Sequence, residues 1–157
     1  MRSTCFRLQT EWRIDASRDR VWAALRDVEA WPDWWRSVYH VTSLGAGDAN
    51  GVGATHRLEW RTALPYRLAF DMRTIRAEPM TLIEGRAEGE LDGIGRWTLH
   101  EAGTATLVRY DWQVRLTKTW MRALAPLLRR VFAWNHNVVM ERGRRGLARH
   151  LSCADGG

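Results

Sequence analysis

The chain has 157 residues with a formal net charge of +6, and it is 45% hydrophobic and 27% charged. A folded chain of this length buries about two thirds of the surface that its unfolded form exposes, so a substantial core can form. This composition excludes the disordered and fibrous classes of protein. No apolar run approaches the about 18 residues of a membrane span, and the first residues lack the apolar stretch of a signal peptide. We therefore expect one domain over residues 1–157, with its core at about 6–151, in the cytoplasm.

The sequence contains no motif for a metal or a cofactor, and we expect neither. Its two cysteines, Cys5 and Cys153, lie at opposite ends of the chain, without a C-x-x-C pair or a cysteine–histidine cluster. The glycine pairs at 45–47 and 51–53 have the wrong spacing for a phosphate-binding loop, and no helix start follows them. We interpret both as turns.

Positive charge is concentrated near the carboxyl end of the chain. Between Trp120 and Leu151 the sequence has seven arginines and a single acidic residue, Glu141. Such a face can contact nucleic acid or anionic lipid headgroups. No helix-turn-helix, zinc finger or exposed aromatic platform accompanies it, so we favour a solvated face. Nucleic-acid binding is not expected, and transient membrane contact stays open.

The amino-terminal segment predicts one strand followed by two short helices. Apolar and polar residues alternate strictly from Phe6 to Ile14, as in a half-buried strand. Ser17 then provides an N-cap for a helix with apolar residues at helical spacing. That helix ends near Trp31, because this residue precedes a proline, and Pro32 is well placed to start a second short helix.

The period from Val38 to Leu116 is mostly two, which predicts about six further strands. Turn residues separate them at 45–51, 64–65, 78–79, 92–93 and 101–103. Because each strand follows its neighbour closely in sequence, we expect an antiparallel meander. One face of the strands is apolar, and the other carries opposite charges that can pair across strands.

The segment from about Trp120 to Leu151 predicts one long helix with Pro126 near its start. A step of about 100° per residue places one set of residues on its inner side. This set is Leu128, Phe132, Asn135, His136, Val139, Gly143, Gly146 and Leu147. Arg130, Arg144 and Arg145 turn away from it. A glycine costs about 1 kcal/mol relative to alanine inside a helix, so we expect the two glycines to allow a close approach of the helix to the sheet.

This order of elements predicts an α+β fold in which a curved antiparallel sheet of about seven strands wraps around the carboxy-terminal helix. Particular motifs accompany it: Val21-Trp22, Trp31-Pro32-Asp33-Trp34-Trp35, Gly51-Val52-Gly53, Asn135-His136, Gly143 and Gly146-Leu147. With these motifs, about residues 6–151 resemble the polyketide cyclase/dehydrase and lipid-transport group of the START-like, Bet v 1-like superfamily. The resemblance implies a helix-grip fold with an internal cavity for apolar or amphipathic small molecules. Its members include carriers, ligand sensors and a minority of enzymes such as aromatic polyketide cyclases.

The inward-facing residues of the strands and the long helix form the predicted ligand-binding site. They are His56, Leu58, Trp60, Leu68, Phe70, Met72, Trp97, Tyr110, Trp112, Phe132, Asn135, His136 and Val139. A mostly apolar and aromatic set with a few polar groups is typical of small-molecule pockets. The alternative is that these side chains simply fill the core. Our leading hypothesis is the binding of a hydrophobic or aromatic small molecule, lipid or polyketide-like.

Two other functions stay open. In a cofactor-free cyclase or dehydratase, His56 or His136 would remove a proton next to a carbonyl group, with Tyr110 as a further candidate. No inward carboxylate accompanies them. In an interaction module, the basic face of the last helix would bind a partner and no cavity would be needed.

Trp31, Trp34 and Trp35 form the densest aromatic cluster of the sequence. They can act as a lid over the cavity, as an apolar tip that faces a membrane, or as a plug at one end of the core. We favour the plug.

Overall fold

A computed structural model describes residues 5–154. Its strands are β1 (Cys5–Ile14), β2 (Val38–Gly45), β3 (Thr55–Arg61), β4 (Arg67–Glu78), β5 (Leu82–Gly89), β6 (Leu91–Ala102) and β7 (Ala105–Leu116). Its α-helices are α1 (Arg18–Arg26), α2 (Trp31–Trp34) and α3 (Thr119–Ala154), and a 3₁₀ turn at Val28–Ala30 connects the first two. The predicted strand, pair of short helices, six further strands and long helix are confirmed.

The strands form one antiparallel sheet in the order β1-β7-β6-β5-β4-β3-β2. Strands β2 to β7 are a meander, and β1 closes the far edge by pairing with β7 from Cys5 opposite Arg115 to Ile14 opposite Thr106. The α+β fold class and the helix-grip arrangement are therefore confirmed.

One predicted turn was wrong in position. The chain turns between β5 and β6 at Gly89, whose φ is +127°, and not at residues 92–93. Asp92 and Gly93 lie inside β6, where a Cβ at position 93 would overlap the carbonyl oxygen of Gln113 on β7. Gly93 is therefore required by a close contact between two strands, and a sequence pattern cannot distinguish this role from that of a turn glycine.

Opposite charges pair across strands on the outer face of the sheet. Arg57 on β3 binds Asp71 on β4 at 2.8 Å, and Arg96 on β6 binds Glu84 on β5 at 2.5 Å. Each pair joins residues that are directly opposed in the strand register. The predicted charge lattice is thus confirmed for these arginines.

The glycines of α3 contact α2, and here the sequence-based interpretation was wrong about the partner. A Cβ on Gly143 would lie 2.6 Å from the indole of Trp35, and a Cβ on Gly146 would overlap the carbonyl oxygen of Trp34. The close approach is real, but it is made to the short helix and not to the sheet. The indole nitrogen of Trp35 donates a hydrogen bond of 2.9 Å to the carbonyl oxygen of Val139. This contact fixes the second half of α3.

The side chain of Leu128, predicted on the inner side, lies outside the described part of the chain, as do residues 1–4 and 155–157.

Replacing Gly146 by alanine should destabilise the fold although alanine is the better helix former. The added Cβ meets backbone, which cannot rotate away, so we expect the free energy of unfolding to fall by about 2 kcal/mol or more. Chemical denaturation monitored by circular dichroism measures this change. The exposed Asn137→Ala on the same helix is the control and should be neutral or gain a few tenths of a kcal/mol, about its propensity difference. An unchanged stability for Gly146→Ala would contradict the close contact.

Candidate functional site

The inner face of the sheet and α3 enclose a cavity of about 200 Å³. Within residues 5–154, side chains from all strands except β2 and from the three α-helices contribute to its lining. Twelve of the thirteen predicted site residues are among them: Leu58, Trp60, Leu68, Phe70, Met72, Trp97, Tyr110, Trp112, Phe132, Asn135, His136 and Val139. Their role in binding a ligand stays a prediction.

Aromatic rings form a continuous wall of the cavity. Trp60 and Phe70 are stacked with ring centres 6.2 Å apart, and Phe70 reaches Trp112 of the distant strand β7 at 6.0 Å. Trp112 in turn stacks with Tyr110 at 6.0 Å, and Tyr110 lies 4.3 Å from Trp97. The wall therefore offers a broad apolar surface to a flat or apolar molecule.

Two glycines leave space on the inner face of the sheet for the side chains of Met72 and Tyr110. Gly85 and Gly95 face each other across β5 and β6. A Cβ on Gly95 would overlap the hydroxyl of Tyr110, and a Cβ on Gly85 would lie 2.6 Å from the sulfur of Met72. Because the glycines have no side chains, Met72 and Tyr110 occupy that space and leave the volume below α3 open. A larger residue at either position would push these side chains into the cavity.

The tryptophan cluster closes one end of the cavity. Trp31, Trp34 and Trp35 are 7%, 6% and 1% exposed, and Trp31 and Trp35 contribute to the lining. The ring of Trp35 stands perpendicular to that of Trp60 at 5.1 Å. The burial of all three rings agrees with the plug interpretation and not with an exposed aromatic tip.

The loop between β3 and β4 faces the first half of α3 and lines a partly exposed edge of the cavity, which we call the mouth. Thr62, Leu64 and Tyr66 line the cavity and are also partly exposed. The backbone N–H of Ala63 donates a hydrogen bond of 2.7 Å to Oδ1 of Asn135 on α3. Asn135 was predicted as a ligand-binding residue, and its side-chain carbonyl oxygen anchors this loop.

A polar cluster around Glu90 holds the same loop through hydrogen bonds and an ion pair. Glu90 accepts hydrogen bonds from the backbone N–H of Ala69 at 2.8 Å and from the hydroxyl of Tyr66 at 3.0 Å, and it pairs with Lys118 at 2.5 Å. Burial by itself raises the pKa of Glu90, but the hydrogen bonds from Lys118, Ala69 and Tyr66 outweigh it and hold this pKa below its usual value. The cluster connects the β5–β6 turn, the β3–β4 loop and the start of α3.

His136 and Tyr110 are the titratable side chains that face the cavity from α3 and β7. His136 Nε2 lies 3.3 Å from the hydroxyl of Thr10, and the imidazole stacks on Tyr110 with centres 6.5 Å apart. Burial lowers the pKa of His136 to about 4 and raises the pKa of Tyr110. Both are therefore uncharged at neutral pH. A histidine with so low a pKa is a weak base, far from the value near 7 that suits general-base catalysis.

His56 does not join this set, and its role as a site residue stays a prediction. It is absent from the cavity lining that the described residues form, and its Nε2 lies 3.6 Å from the carboxylate of Glu29 in the 3₁₀ turn. The alternation of β3 correctly placed His56 on the same face as Leu58. It could not show that the 3₁₀ turn covers this end of the strand.

A family model described as "Polyketide cyclase / dehydrase and lipid transport" matches residues 6–152, which is nearly the whole chain. The chain belongs to this family. The resemblance that the sequence motifs indicated is thereby confirmed. No curated protein matches the sequence.

Solved structures share the fold of this polyketide cyclase/dehydrase and lipid-transport family member. The protein TTHA0849 from Thermus thermophilus has a TM-score of 0.75 at 15% identity, covering 92% of this chain and 99% of its own. The Zhui aromatase/cyclase from Streptomyces sp. R1128 has a TM-score of 0.73 at 18% identity, covering 98% and 99%. A START superfamily protein from Mycobacterium smegmatis has a TM-score of 0.72 at 14% identity, covering 92% and 98%. At such identities the similarity shows the fold.

Sequence reasoning missed a large part of the lining in this family member. The omitted residues are Phe6, Leu8, Leu25, Val28, Trp31, Trp35, Thr62, Leu64, Tyr66, Thr74, Ile83, Gly85, Leu91, Gly95, Val114, Leu116, Met121 and Met140. Those on strands continue the alternation already recognised, so that signal could have identified them. The mouth residues 62–66 lie in a loop and have no periodicity that would indicate their direction.

Within residues 5–154, no three His, Cys, Asp or Glu side chains come together as metal ligands.

The buried imidazole predicts how stability depends on pH in this cyclase/dehydrase and lipid-transport family member. Between pH 6.5 and about 4, an unfolded chain protonates this histidine while the folded chain does not, so stability decreases as the pH falls. The shift corresponds to a loss of about 3 kcal/mol at most. His136→Gln should flatten this part of the profile when unfolding is measured from pH 7 to pH 4. The exposed His150→Gln is the control, and an equal slope in wild type and His136→Gln would contradict the prediction.

Proposed function

We propose that the protein binds a hydrophobic or aromatic small molecule in the cavity between its sheet and α3. The family is consistent with this function, since its description includes lipid transport and polyketide cyclisation. The observation that carries the proposal is the apolar cavity itself, which stays open although ten tryptophans are available to fill it. A lipid or a polyketide-like compound has the matching chemistry.

The free energy of an empty cavity supports an occupant. At about 24 cal/mol per Å³, an unfilled space of about 200 Å³ costs roughly 5 kcal/mol. That is comparable with the whole stability of many domains. An apolar ligand would remove this cost by restoring contacts with the rings that line the space.

A few polar atoms would select the ligand's oxygen groups. The indole nitrogen of Trp60 is buried and has no hydrogen-bond partner among the described residues. The ring of Tyr110 lines the cavity, while its hydroxyl lies over Gly95 and stays protonated because burial raises its pKa. The indole nitrogen of Trp60 is a donor, so it would favour a ligand with a carbonyl or hydroxyl oxygen over a pure hydrocarbon.

The enzymatic alternative has less support. His136 is a weak base in its buried position, and His56 is not among the lining residues. Tyr110 stays protonated because its pKa is raised, so it cannot accept a proton. The lining described here contains no carboxylate. A cyclase or dehydratase would have to remove a proton without a suitable group, so we favour binding over catalysis.

Displacement of a hydrophobic fluorescent dye tests the proposal, together with native mass spectrometry of the protein as purified. Gly85→Val should weaken dye binding at least about tenfold, because the new side chain drives Met72 into the cavity. Gly45→Val is the matched control: it lies at a strand end with nothing within 4 Å of its Cβ position, and it should bind as wild type does.

A second variant tests the same prediction in case Gly85→Val fails to fold. Leu68→Trp adds a ring to a partly exposed lining residue and should also block the dye, with an unchanged circular dichroism spectrum. If wild type binds no apolar dye and carries no retained molecule, the proposed function is wrong. Equal dye affinity in wild type and both blocked variants would place the binding elsewhere and would also refute it.

A further inference from the structure

The first half of α3 carries an apolar stripe on its outer surface. Its members recur every three or four residues and therefore share one side of the helix. They are Trp120, Leu124, Leu127, Val131, Trp134 and Val138. Leu127 is 80% exposed, and Trp120 and Trp134 are 50% and 52% exposed. Large apolar residues that are aligned and exposed in this way indicate a contact surface.

The stripe is not part of the cavity lining. The inner side of the same helix carries Phe132 and His136, which lie about 120° or more around the helix from the centre of the stripe. A bound cavity ligand would therefore leave the stripe exposed.

One flank of the stripe carries positive charge. Between Thr119 and Met140 the sequence has three arginines and no aspartate or glutamate. Arg130 is exposed and lies about 80° around the helix from the centre of the stripe, whereas Arg122 and Arg129 lie on the opposite side of the helix. Arg145 follows at the carboxyl end of the stripe, where it pairs with Glu141 at 3.2 Å.

The same side of the molecule holds the mouth of the cavity. The first member of the stripe, Trp120, packs edge-on against Tyr66 of the mouth loop with ring centres 6.0 Å apart. Exposed arginines at positions 61 and 67 flank that loop. The apolar stripe, with Arg130 on its flank, thus lies next to the cavity mouth, whose loop is flanked by exposed arginines.

We propose that this stripe binds the surface of an anionic lipid bilayer, with α3 lying in the interface. Exposed tryptophans and leucines insert at the level of the headgroups, and arginines bind anionic lipids beside them. None of the helices within residues 5–154 is long and apolar enough to cross a bilayer, so the contact is peripheral. Passage of an apolar cargo from the bilayer into the adjacent mouth would follow, and this last step rests on the proposed function.

Charge decides between a bilayer and a second copy of the chain. The spacing of the stripe also suits pairing of two helices. Such a pair would bring Arg130 of one α3 helix close to the other helix, and the acid-free segment 119–140 could not neutralise its charge. An anionic surface provides the missing negative charge.

Sedimentation with lipid vesicles tests the proposal. The protein should bind phosphatidylcholine vesicles that contain phosphatidylglycerol, and bind poorly to phosphatidylcholine alone. Leu127→Ser should weaken binding roughly tenfold through lost apolar contact, and Arg130→Gln about fivefold through the lost charge. Salt at about 1 M should weaken binding strongly, since it screens exposed charges beyond about 3 Å.

Leu107→Ser is the matched control, because Leu107 is an exposed leucine on the outer face of the sheet, 42% exposed, far from the stripe in the fold. It should bind vesicles as wild type does. Dye binding without vesicles should be unchanged in Leu127→Ser, so a failed cavity and a failed surface are distinguishable. The proposal is overturned if the protein ignores anionic vesicles, if Leu127→Ser and Leu107→Ser bind alike, or if ultracentrifugation shows a dimer that Leu127→Ser dissociates.

Discussion

The indole of Trp35 packs directly against the backbone of α3 at Gly143, and the position of the long helix depends on this contact. Its ring nitrogen binds the carbonyl oxygen of Val139, while Gly146 lies against the backbone of the preceding tryptophan. The second half of the helix is thereby packed at near-contact distance. The first half extends from this anchor across the inner face of the sheet, and the space below it becomes the cavity.

What keeps that space open is the way aromatic residues are distributed on the sheet. Tyr110 and Trp112 of β7 lie over Gly95, and Met72 of β4 lies over Gly85, so the bulk of these side chains lies along the wall and not across the interior. The tryptophans therefore have two opposite structural roles in this protein. At α2 it fills the end of the core, and on the strands it forms the surface of a hollow. Charged groups stay outside this hollow, and the histidine that enters it is neutral at pH 7.

The mouth of the cavity is built differently from its walls. Its loop is held by polar contacts to Asn135, Lys118 and Glu90, each of which joins segments far apart in sequence. Polar contacts of this kind form and break more readily than the aromatic packing at the opposite end. One end of the cavity is thus closed by aromatic packing. At the other end, beside the exposed stripe, the loop is held by polar contacts.

Apolar periodicity and turn residues are local properties, so the elements, their antiparallel order and the inner face of most strands follow from the sequence alone. The family follows from it as well, since the motifs around Trp35 and Gly143 are local too. Which inward residues share the cavity does not follow from the sequence, because it depends on where α3 and the 3₁₀ turn cross the sheet in the folded chain. His56 and Leu58 occupy equivalent positions in one strand, and the turn covers the first alone. Likewise, a glycine can mark a turn or a close contact, and only the neighbour that lies against Gly93 or Gly146 tells the two apart.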